Sequence, residues 1–223
     1  MRFNKKGFTL TEILVGLTII GTIAAILIPG TMTNINKKLL ATQAKNGITE
    51  VQQTIIDNMA DSKKNIFEAS DFTKESLNTT KTCDSTKIAE CWKVTYNDIK
   101  GNAISIPSSA ADAASAAILK KGGTILIKDY TSSEETETPG EKCIEEVWYD
   151  INGNETPNKL GRDLFVFYIT DKGRVGDIDK CTPPESPTSK EDLRKGCLGT
   201  VESGAVPSYC LTTLQLNNWV MDY

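Results

Sequence analysis

The 223-residue chain contains no histidine. This absence excludes the Ser-His and Cys-His pairs of nucleophilic catalysis and every metal site that needs an imidazole ligand. The six cysteines include no CxxC pair, so a zinc site is disfavoured as well. Enzymatic activity would have to rest on carboxylates, lysine or tyrosine alone, and no such cluster is apparent. The composition therefore predicts a protein that is not an enzyme.

The chain also lacks an excess of positive charge. It has 25 Lys and Arg residues against 29 Asp and Glu residues, which gives a formal net charge of -4. Proteins whose main ligand is nucleic acid neutralise its phosphates with clustered Lys and Arg. An acidic chain is not expected to have nucleic acid as its main partner.

A long apolar run lies near the start of the chain, from Phe8 to Ile28, and Glu12 is its only formal charge. As a helix, this run of about 21 residues would be about 30 Å long, the thickness of the hydrocarbon core of a bilayer. Arg2, Lys5 and Lys6 precede it without an acidic residue, which predicts a cytoplasmic N-terminus. The run is therefore predicted to span a membrane once, with the body of the protein exported.

Glu12 is unusual, because a carboxylate inside an apolar helix costs a few kcal/mol on insertion scales and usually has a partner. The alternative is an ordinary anchor whose acid lies close enough to the membrane interface to stay hydrated. The stretch KKGFTLTE, from Lys5 to Glu12, resembles the processing signature of type IV prepilins and type II secretion pseudopilins. It has a basic leader that ends in Gly, then Phe, and Glu as the fifth residue after the Gly.

This resemblance implies how the N-terminus is processed and used. In that family a membrane-embedded aspartyl peptidase cuts after the Gly and methylates the new N-terminal amine, and the matching bond here joins Gly7 to Phe8. Glu12 would neutralise the Phe8 amine of a neighbouring subunit during assembly. Pro29 lies where many pilins have a helix-kinking proline.

The resemblance also implies three parts of the chain. Residues 1–7 would be the prepilin leader, residues 8–30 the transmembrane and assembly helix, and residues 31–223 the periplasmic or extracellular globular domain. Loss of the leader would remove three positive charges and no negative ones, and would change the formal charge from -4 to -7.

Beyond Pro29 and Gly30, apolar residues recur at steps of three to five and predict an amphipathic helical stripe. They are Ile35, Leu39, Ala44, Ile48, Val51, Ile55 and Met59. One helix from Phe8 to about Ala60 would then be membrane-bound in its first half and amphipathic in its second. Pro29 and Gly30 predict a kink or weak turn between the two halves.

The rest of the chain predicts a small antiparallel sheet. Alternation and aromatic or β-branched content indicate four strands, which are Trp92–Tyr96, Thr124–Lys128, Cys143–Tyr149 and Leu164–Ile169. The alanine-rich stretch from Ala110 to Lys121 predicts a helix that Gly122 and Gly123 end. The expected fold class is α+β, with the long N-terminal helix packed on the sheet and with disulfide-tied loops.

All six cysteines follow the membrane segment, and an even number on the exported side predicts up to three disulfides. They are Cys83, Cys91, Cys143, Cys181, Cys197 and Cys210. The preferred pairing joins Cys83 to Cys91, Cys181 to Cys197, and Cys143 to Cys210. A bond between Cys197 and Cys210 stays open as an alternative.

The segment DINGNETPNKLGRD has oxygen side chains that resemble the start of a calcium loop. Asp150, Asn152 and Asn154 alternate there, and Asp163 lies at its end. A hard cation such as calcium is held by such oxygens together with backbone carbonyls, and some pseudopilins hold calcium in this part of the fold. The bidentate Glu expected at the twelfth position is missing, because Gly161 stands there. The alternative is a long hairpin turn in which Asn, Gly and Pro supply special backbone angles.

The family resemblance implies a structural subunit rather than an enzyme. The precursor would lie in the inner membrane, be cut by prepilin peptidase, and polymerise with other pilins through an inner-membrane assembly platform into a periplasmic or cell-surface filament. A minor pilin or a type II secretion pseudopilin is an alternative within the family. A filament-tip adhesin or a DNA-uptake binding module is an alternative from another class. No cofactor is expected apart from the calcium candidate.

Overall fold

The computed structural model of the chain contains two compact units, Met1–Leu39 and Leu40–Tyr223. The structure describes residues 7–63, 67, 77–92, 95–104, 106, 115–129, 142–177, 189–199 and 209–223.

The predicted long helix is confirmed. Helix α1 runs from Leu10 to Ser62, over 53 residues. Its backbone is helical through Pro29 and Gly30, so the weak point predicted there does not end the helix. Among the described residues, α1 is the one helix that is long and apolar enough to cross a membrane, judged by its length and composition.

The amphipathic stripe is confirmed only within the second unit. Ala44, Ile48 and Val51 are buried there, together with Ile55. Ile35 and Leu39, which lie in the first unit, are 58% and 55% exposed in the single chain. Every buried residue in the described parts of the chain lies in the second unit, from Ala41 onward. The core therefore belongs to that unit alone.

The second unit contains a six-stranded sheet in the order β1-β4-β5-β6-β7-β8, with every neighbouring pair antiparallel. Its strands are β1 Thr79–Asp84, β4 Ser115–Leu119, β5 Thr124–Asp129, β6 Cys143–Asp150, β7 Leu164–Thr170 and β8 Val175–Gly176. A separate pair consists of β2 Tyr96–Asn97 and β3 Ala103–Ile104. The described part of the unit also contains three short helices, which are α2 Ile88–Cys91, α3 Lys190–Leu198 and α4 Cys210–Leu216.

Both faces of the sheet are buried, because side chains alternate along each strand. Val147 and Phe167 belong to the hydrophobic cluster that includes the C-terminal part of α1. Trp148 and Val166, one residue along, belong to a second cluster that includes α2 and β2. Every residue of β7 is buried. Each fully buried Leu, Val, Ile or Phe side chain contributes about 1.5–3 kcal/mol to the free energy of folding.

Three of the predicted strands are confirmed as β5, β6 and β7. The fourth, Trp92–Tyr96, is wrong in its bounds: Trp92 follows α2, and β2 begins at Tyr96. Residues 93 and 94 lie outside the described residues.

The helix predicted from Ala110 to Lys121 is wrong over its described part, because Ser115–Leu119 forms strand β4. Residues 110–114 lie outside the described residues. Alanine favours helix by less than about 1 kcal/mol per residue over most other residues, and β4 instead pairs with both β1 and β5. Gly122 and Gly123 do not end a helix but form the β4–β5 turn, each with a φ of 85°.

One predicted disulfide is confirmed and the preferred pairing of two others is wrong. Cys83 is bonded to Cys91, as predicted. Cys197 is bonded to Cys210, because the last turn of α3 lies beside the start of α4. The predicted bonds from Cys181 to Cys197 and from Cys143 to Cys210 are therefore wrong. Cys143 is also disulfide-bonded, and Cys181 lies outside the described residues.

Candidate functional site

The peptide bond between Gly7 and Phe8 lies in non-helical backbone ahead of α1. Phe8 is 83% exposed, and a Cβ built on Gly7 would meet no atom within 4 Å. Exposed chain termini of this kind are the preferred sites of proteolytic cleavage. The geometry thus leaves this bond accessible to a peptidase.

Thr9 and Glu12 form a capping box at the start of α1. The Thr9 carbonyl accepts the first helical hydrogen bond, from the Ile13 amide at 3.2 Å. Thr9 Oγ1 accepts from the Glu12 amide at 3.3 Å, and Glu12 Oε2 accepts from both the Thr9 amide and the Thr9 hydroxyl at 2.8 Å. Reciprocal bonds of this type satisfy amides that would otherwise lack a partner at a helix start.

Sequence reasoning missed this role of Glu12, although the signal was present. Thr9-Leu10-Thr11-Glu12 is a Thr-x-x-Glu stretch directly before an apolar run, which is the capping-box pattern. Both described side-chain hydrogen bonds of Glu12 end on Oε2. Its second oxygen, Oε1, therefore remains available to a partner outside the chain.

Two hydroxyl groups in the apolar part of α1 are hydrogen-bonded within the helix. Thr18 Oγ1 donates to the Leu14 carbonyl at 2.8 Å, and Thr22 Oγ1 donates to the Ile19 carbonyl at 2.9 Å. Polar groups without water as a partner must be bonded internally in this way. This surface suits lipid or the apolar faces of other helices. Pro29 lies within α1, and its side chain is outside the described residues.

The four calcium candidates lie in or beside the loop between β6 and β7. Asp150 and Asp163 are fully buried. One Asp150 oxygen accepts from the Tyr96 hydroxyl and the other from the Asn152 amide. The two Asp163 oxygens accept from the amides of Asn158 and Lys159, each at 2.6 Å. Both carboxylates are thus acceptors for hydrogen bonds that close the loop.

The two asparagines do not complete an oxygen cage. Asn152 uses its side-chain amide as a donor to the carbonyls of Glu155 and Thr156, both at 3.1 Å, and Asn154 is exposed. Within the described residues, no group of three or more Cys, Asp or Glu side chains could hold a metal ion. This donor set fits a hydrogen-bonded turn better than a calcium centre, and a calcium titration decides between the two.

The turn has the backbone angles that its Asn, Gly and Pro residues favour. Gly153, Asn158 and Gly161 have φ values of 71°, 52° and 80°, and the peptide bond before Pro157 is cis. The left-handed region is open to glycine and tolerated by asparagine. These angles are the ones expected of a long hairpin turn.

The buried carboxylates of this loop are shifted toward their neutral forms. Burial raises the pKa of Asp150 to about 7, the hydrogen bond from Tyr96 opposes this shift, and the nearby Asp163 carboxylate adds to it. Burial also raises the pKa of Asp163, against the amide hydrogen bonds it accepts. Two carboxylates that face each other in a poorly solvated site disfavour double ionisation.

Comparison with known proteins supports the interpretation of the N-terminus. Residues 2–28 match the family model described as the prokaryotic N-terminal methylation motif. The resemblance of the N-terminus to the prepilin signal of type IV pilins and pseudopilins is thereby confirmed. No curated protein and no solved structure matches the chain significantly. The motif indicates a type IV pilin-like or pseudopilin class protein, and it points to a structural subunit rather than an enzyme.

Proposed function

We propose that the protein is a structural subunit of a type IV pilus or a related filament. The observation that carries the proposal is the methylation motif at residues 2–28, which leads into a helix that is apolar over a membrane-spanning length. The accessible Gly7–Phe8 bond and the exposed apolar surface of α1 support it further. Residues 1–7 are then the leader, residues 8–30 the assembly helix, and residues 31–223 the exported domain.

Processing begins in the inner membrane. Arg2, Lys5 and Lys6 hold the N-terminus on the cytoplasmic side, where prepilin peptidase cuts the Gly7–Phe8 bond and methylates the Phe8 amine. The cut leaves Thr9 and Glu12 in the chain, so the capping box of the mature subunit is kept. The mature N-terminus is then a positively charged amine two residues ahead of the helix.

Assembly transfers the apolar helix from lipid into contact with the helices of other subunits. Lipid tails are as apolar as leucine, so this transfer gains little hydrophobic free energy, and selectivity must come from close packing and polar pairs. Glu12 supplies such a pair, because its unused Oε1 can accept from the Phe8 amine of a neighbour while Oε2 stays bonded to Thr9. Gly16 and Gly21 leave space in which another helix backbone can approach.

Mass spectrometry of the N-terminus of the protein purified from its own membrane tests the proposal. A chain that begins with methylated Phe8 is the expected result. A chain that retains Met1, or one that is cut beyond Ala24 as a secretory signal would be, contradicts it.

A minor pilin or a type II secretion pseudopilin shares the same N-terminus and processing, and differs in whether it builds a long surface fibre. A filament-tip module that binds DNA or a host surface is an alternative of another class, which the acidic composition disfavours for DNA.

A further inference from the structure

Four large apolar residues at the end of the first unit form one exposed stripe on α1. Ile28, Met32, Ile35 and Leu39 are each 55–58% exposed in the single chain. They follow one another by four, three and four residues, so at about 100° per residue they lie within about 60° of one another round the helix. The residues between Met32 and Leu39, apart from Ile35, are all polar. These four residues, the α1 stripe, are therefore a narrow apolar face on a segment that becomes polar elsewhere.

The α1 stripe continues a face of the apolar run. Three leucines of the run each precede a member of the stripe by 18 residues, which is five helical turns, so they lie on the same side of α1. They are Leu10, Leu14 and Leu17, and they too are exposed in the single chain. From Leu10 to Leu39 this face is about 44 Å long, whereas the hydrocarbon core of a bilayer is about 30 Å thick. Lipid tails therefore cover only part of it.

The outer end of the stripe lies beyond the bilayer. With Ile28 at the edge of the hydrocarbon core, Ile35 is about 10 Å and Leu39 about 16 Å further out, while the headgroup layer is about 5–8 Å thick. A helix tilt of about 40° would shorten these distances by only about a quarter. Leu39 is then surrounded by water unless another protein covers it. Contiguous apolar surface that is exposed in this way marks a contact with protein.

A second copy of the chain matches this face in length and in depth. Arg2, Lys5 and Lys6 precede the apolar run in every copy, so all copies cross the membrane in the same direction. Two parallel α1 helices therefore present the same stripe at the same distance from the bilayer. Lys37 is about 200° round the helix from Ile35, so its charge stays outside a contact between the two stripes.

We propose that two copies of the chain pair in parallel through α1 while both are in the membrane, with the α1 stripe of one copy packed on that of the other. Met32, Ile35 and Leu39 of both copies leave water in this contact, which provides a hydrophobic gain that helices surrounded by lipid tails lack. The pairing rests on the membrane insertion that belongs to the proposed function. It does not rest on polymerisation and would precede it.

The test uses the full-length chain in the membrane of a host cell that has no filament assembly proteins. The photo-crosslinking amino acid p-benzoylphenylalanine replaces Ile35 or, as the matched control on the opposite side of α1, Lys37. After irradiation of isolated membranes we expect a crosslinked dimer from position 35 and about tenfold less from position 37. Carbonate extraction shows separately whether the chain is inserted.

Two asparagine variants separate pairing from insertion. Ile35→Asn places an amide within the α1 stripe, and Lys37→Asn places the same amide on the opposite side of the helix. With the crosslinker at position 39, we expect Ile35→Asn to give about tenfold less dimer, because a buried apolar contact is lost, and Lys37→Asn to give an unchanged amount. Both variants should resist carbonate extraction.

The pairing is wrong if position 35 crosslinks only to lipid or to other proteins, if positions 35 and 37 give equal amounts of dimer, or if Ile35→Asn leaves the dimer unchanged in an inserted chain. A wild-type chain that carbonate removes from the membrane would instead contradict the insertion on which the proposed function depends, and the pairing with it.

Discussion

Glu12 combines two roles that are difficult to see together in the sequence. Its Oε2 completes the capping box with Thr9, and its charge remains available to an amine outside the chain. An alanine substitution removes both roles at once. A substitution by glutamine separates them, because Gln serves as well as Glu in a capping box.

We expect Glu12→Gln to insert and fold normally but to fail in filament assembly as fully as Glu12→Ala, because both lack the charge that pairs with the Phe8 amine. Sheared filaments quantified by sedimentation measure the effect. Thr9→Val is the matched control: it loses the cap, worth about 0.5–2 kcal/mol, but keeps the charge, so it should assemble better than Glu12→Gln. Normal assembly of Glu12→Gln would show that charge pairing is not required.

At Gly47, α1 packs directly against Tyr149 of strand β6. A Cβ there would clash with Tyr149 Oη and with two carbons of the Tyr149 ring. Tyr149 is 4% exposed and belongs to the core, so its ring cannot move without repacking. Gly is therefore required in a helix that would otherwise favour Ala.

We expect Gly47→Ala to lower the free energy of unfolding, because an overpacking cost of about 1–3 kcal/mol exceeds the gain of about 1 kcal/mol in helix propensity. Thermal unfolding of the full-length chain in detergent measures the change. Asn46→Ala, at the exposed neighbouring position, should raise the midpoint slightly. Equal or higher stability of Gly47→Ala would contradict the close contact.

At the scale of single elements, α4 is a helix whose own N-cap residue does not cap it. Tyr209, with a φ of 73°, makes no side-chain capping bond. Asp177, directly after β8, accepts instead from the amides of Leu211 at 3.3 Å and Thr212 at 2.5 Å. Burial raises the pKa of this carboxyl to about 6, although these hydrogen bonds oppose the shift.

This shift predicts a pH dependence of stability. Between the ordinary pKa of 3.8 and the folded value of about 6, the folded state holds a proton that the unfolded state has released, so rising pH favours unfolding. We expect the free energy of unfolding to fall by up to about 1.4 kcal/mol per pH unit from this group in that range. Denaturant titrations at several pH values should show a shallower fall of the free energy of unfolding for Asp177→Asn, because asparagine does not titrate. Asp150, whose pKa is also raised, contributes equally in both proteins, so the difference between the two slopes comes from Asp177. Equal slopes would show that Asp177 titrates normally.

The β6–β7 loop is held by its own hydrogen bonds, so we expect calcium and chelators to leave the thermal midpoint unchanged. Asp163→Asn should lower the midpoint equally with and without calcium, because it weakens two amide bonds that close the turn. A rise in the midpoint with millimolar calcium that Asp163→Asn abolishes would instead establish a calcium site.

The elements predicted correctly are those with a local signal. The apolar run, the stripe from Ala44 to Ile55 and the aromatic strand β7 all follow from spacing within one segment. Strand β4 could not be found in this way, because its alanine-rich sequence favours helix and only pairing with β1 and β5 decides its structure. The Cys197–Cys210 bond likewise depends on how α3 and α4 pack, which no cysteine spacing encodes. The capping box is also local, and the Thr-x-x-Glu pattern from Thr9 to Glu12 is sufficient to predict it.

At the scale of the whole molecule, the large apolar side chains described in the first unit are exposed, whereas the hydrophobic core of the described residues lies in the second unit. Leu10 and Ile26 are 79% and 78% exposed in the single chain, a degree of exposure that water does not tolerate over a patch of this length. This exposed surface suits lipid or the apolar faces of other helices. The second unit carries the disulfides Cys83–Cys91 and Cys197–Cys210. Disulfides form and persist in oxidising compartments, so this unit suits such a compartment.

Loss of the protein from cells distinguishes a main filament subunit from a minor one. A subunit that forms the body of a fibre is required in every repeat, so we expect cells without the gene to lack long surface fibres in electron micrographs. Wild-type protein supplied from a plasmid should restore the fibres, and Glu12→Gln should not, because it lacks the charge for the neighbouring Phe8 amine. Fibres that persist without the protein would contradict a main-subunit role and favour a minor pilin or a pseudopilin, both of which keep the same processed N-terminus.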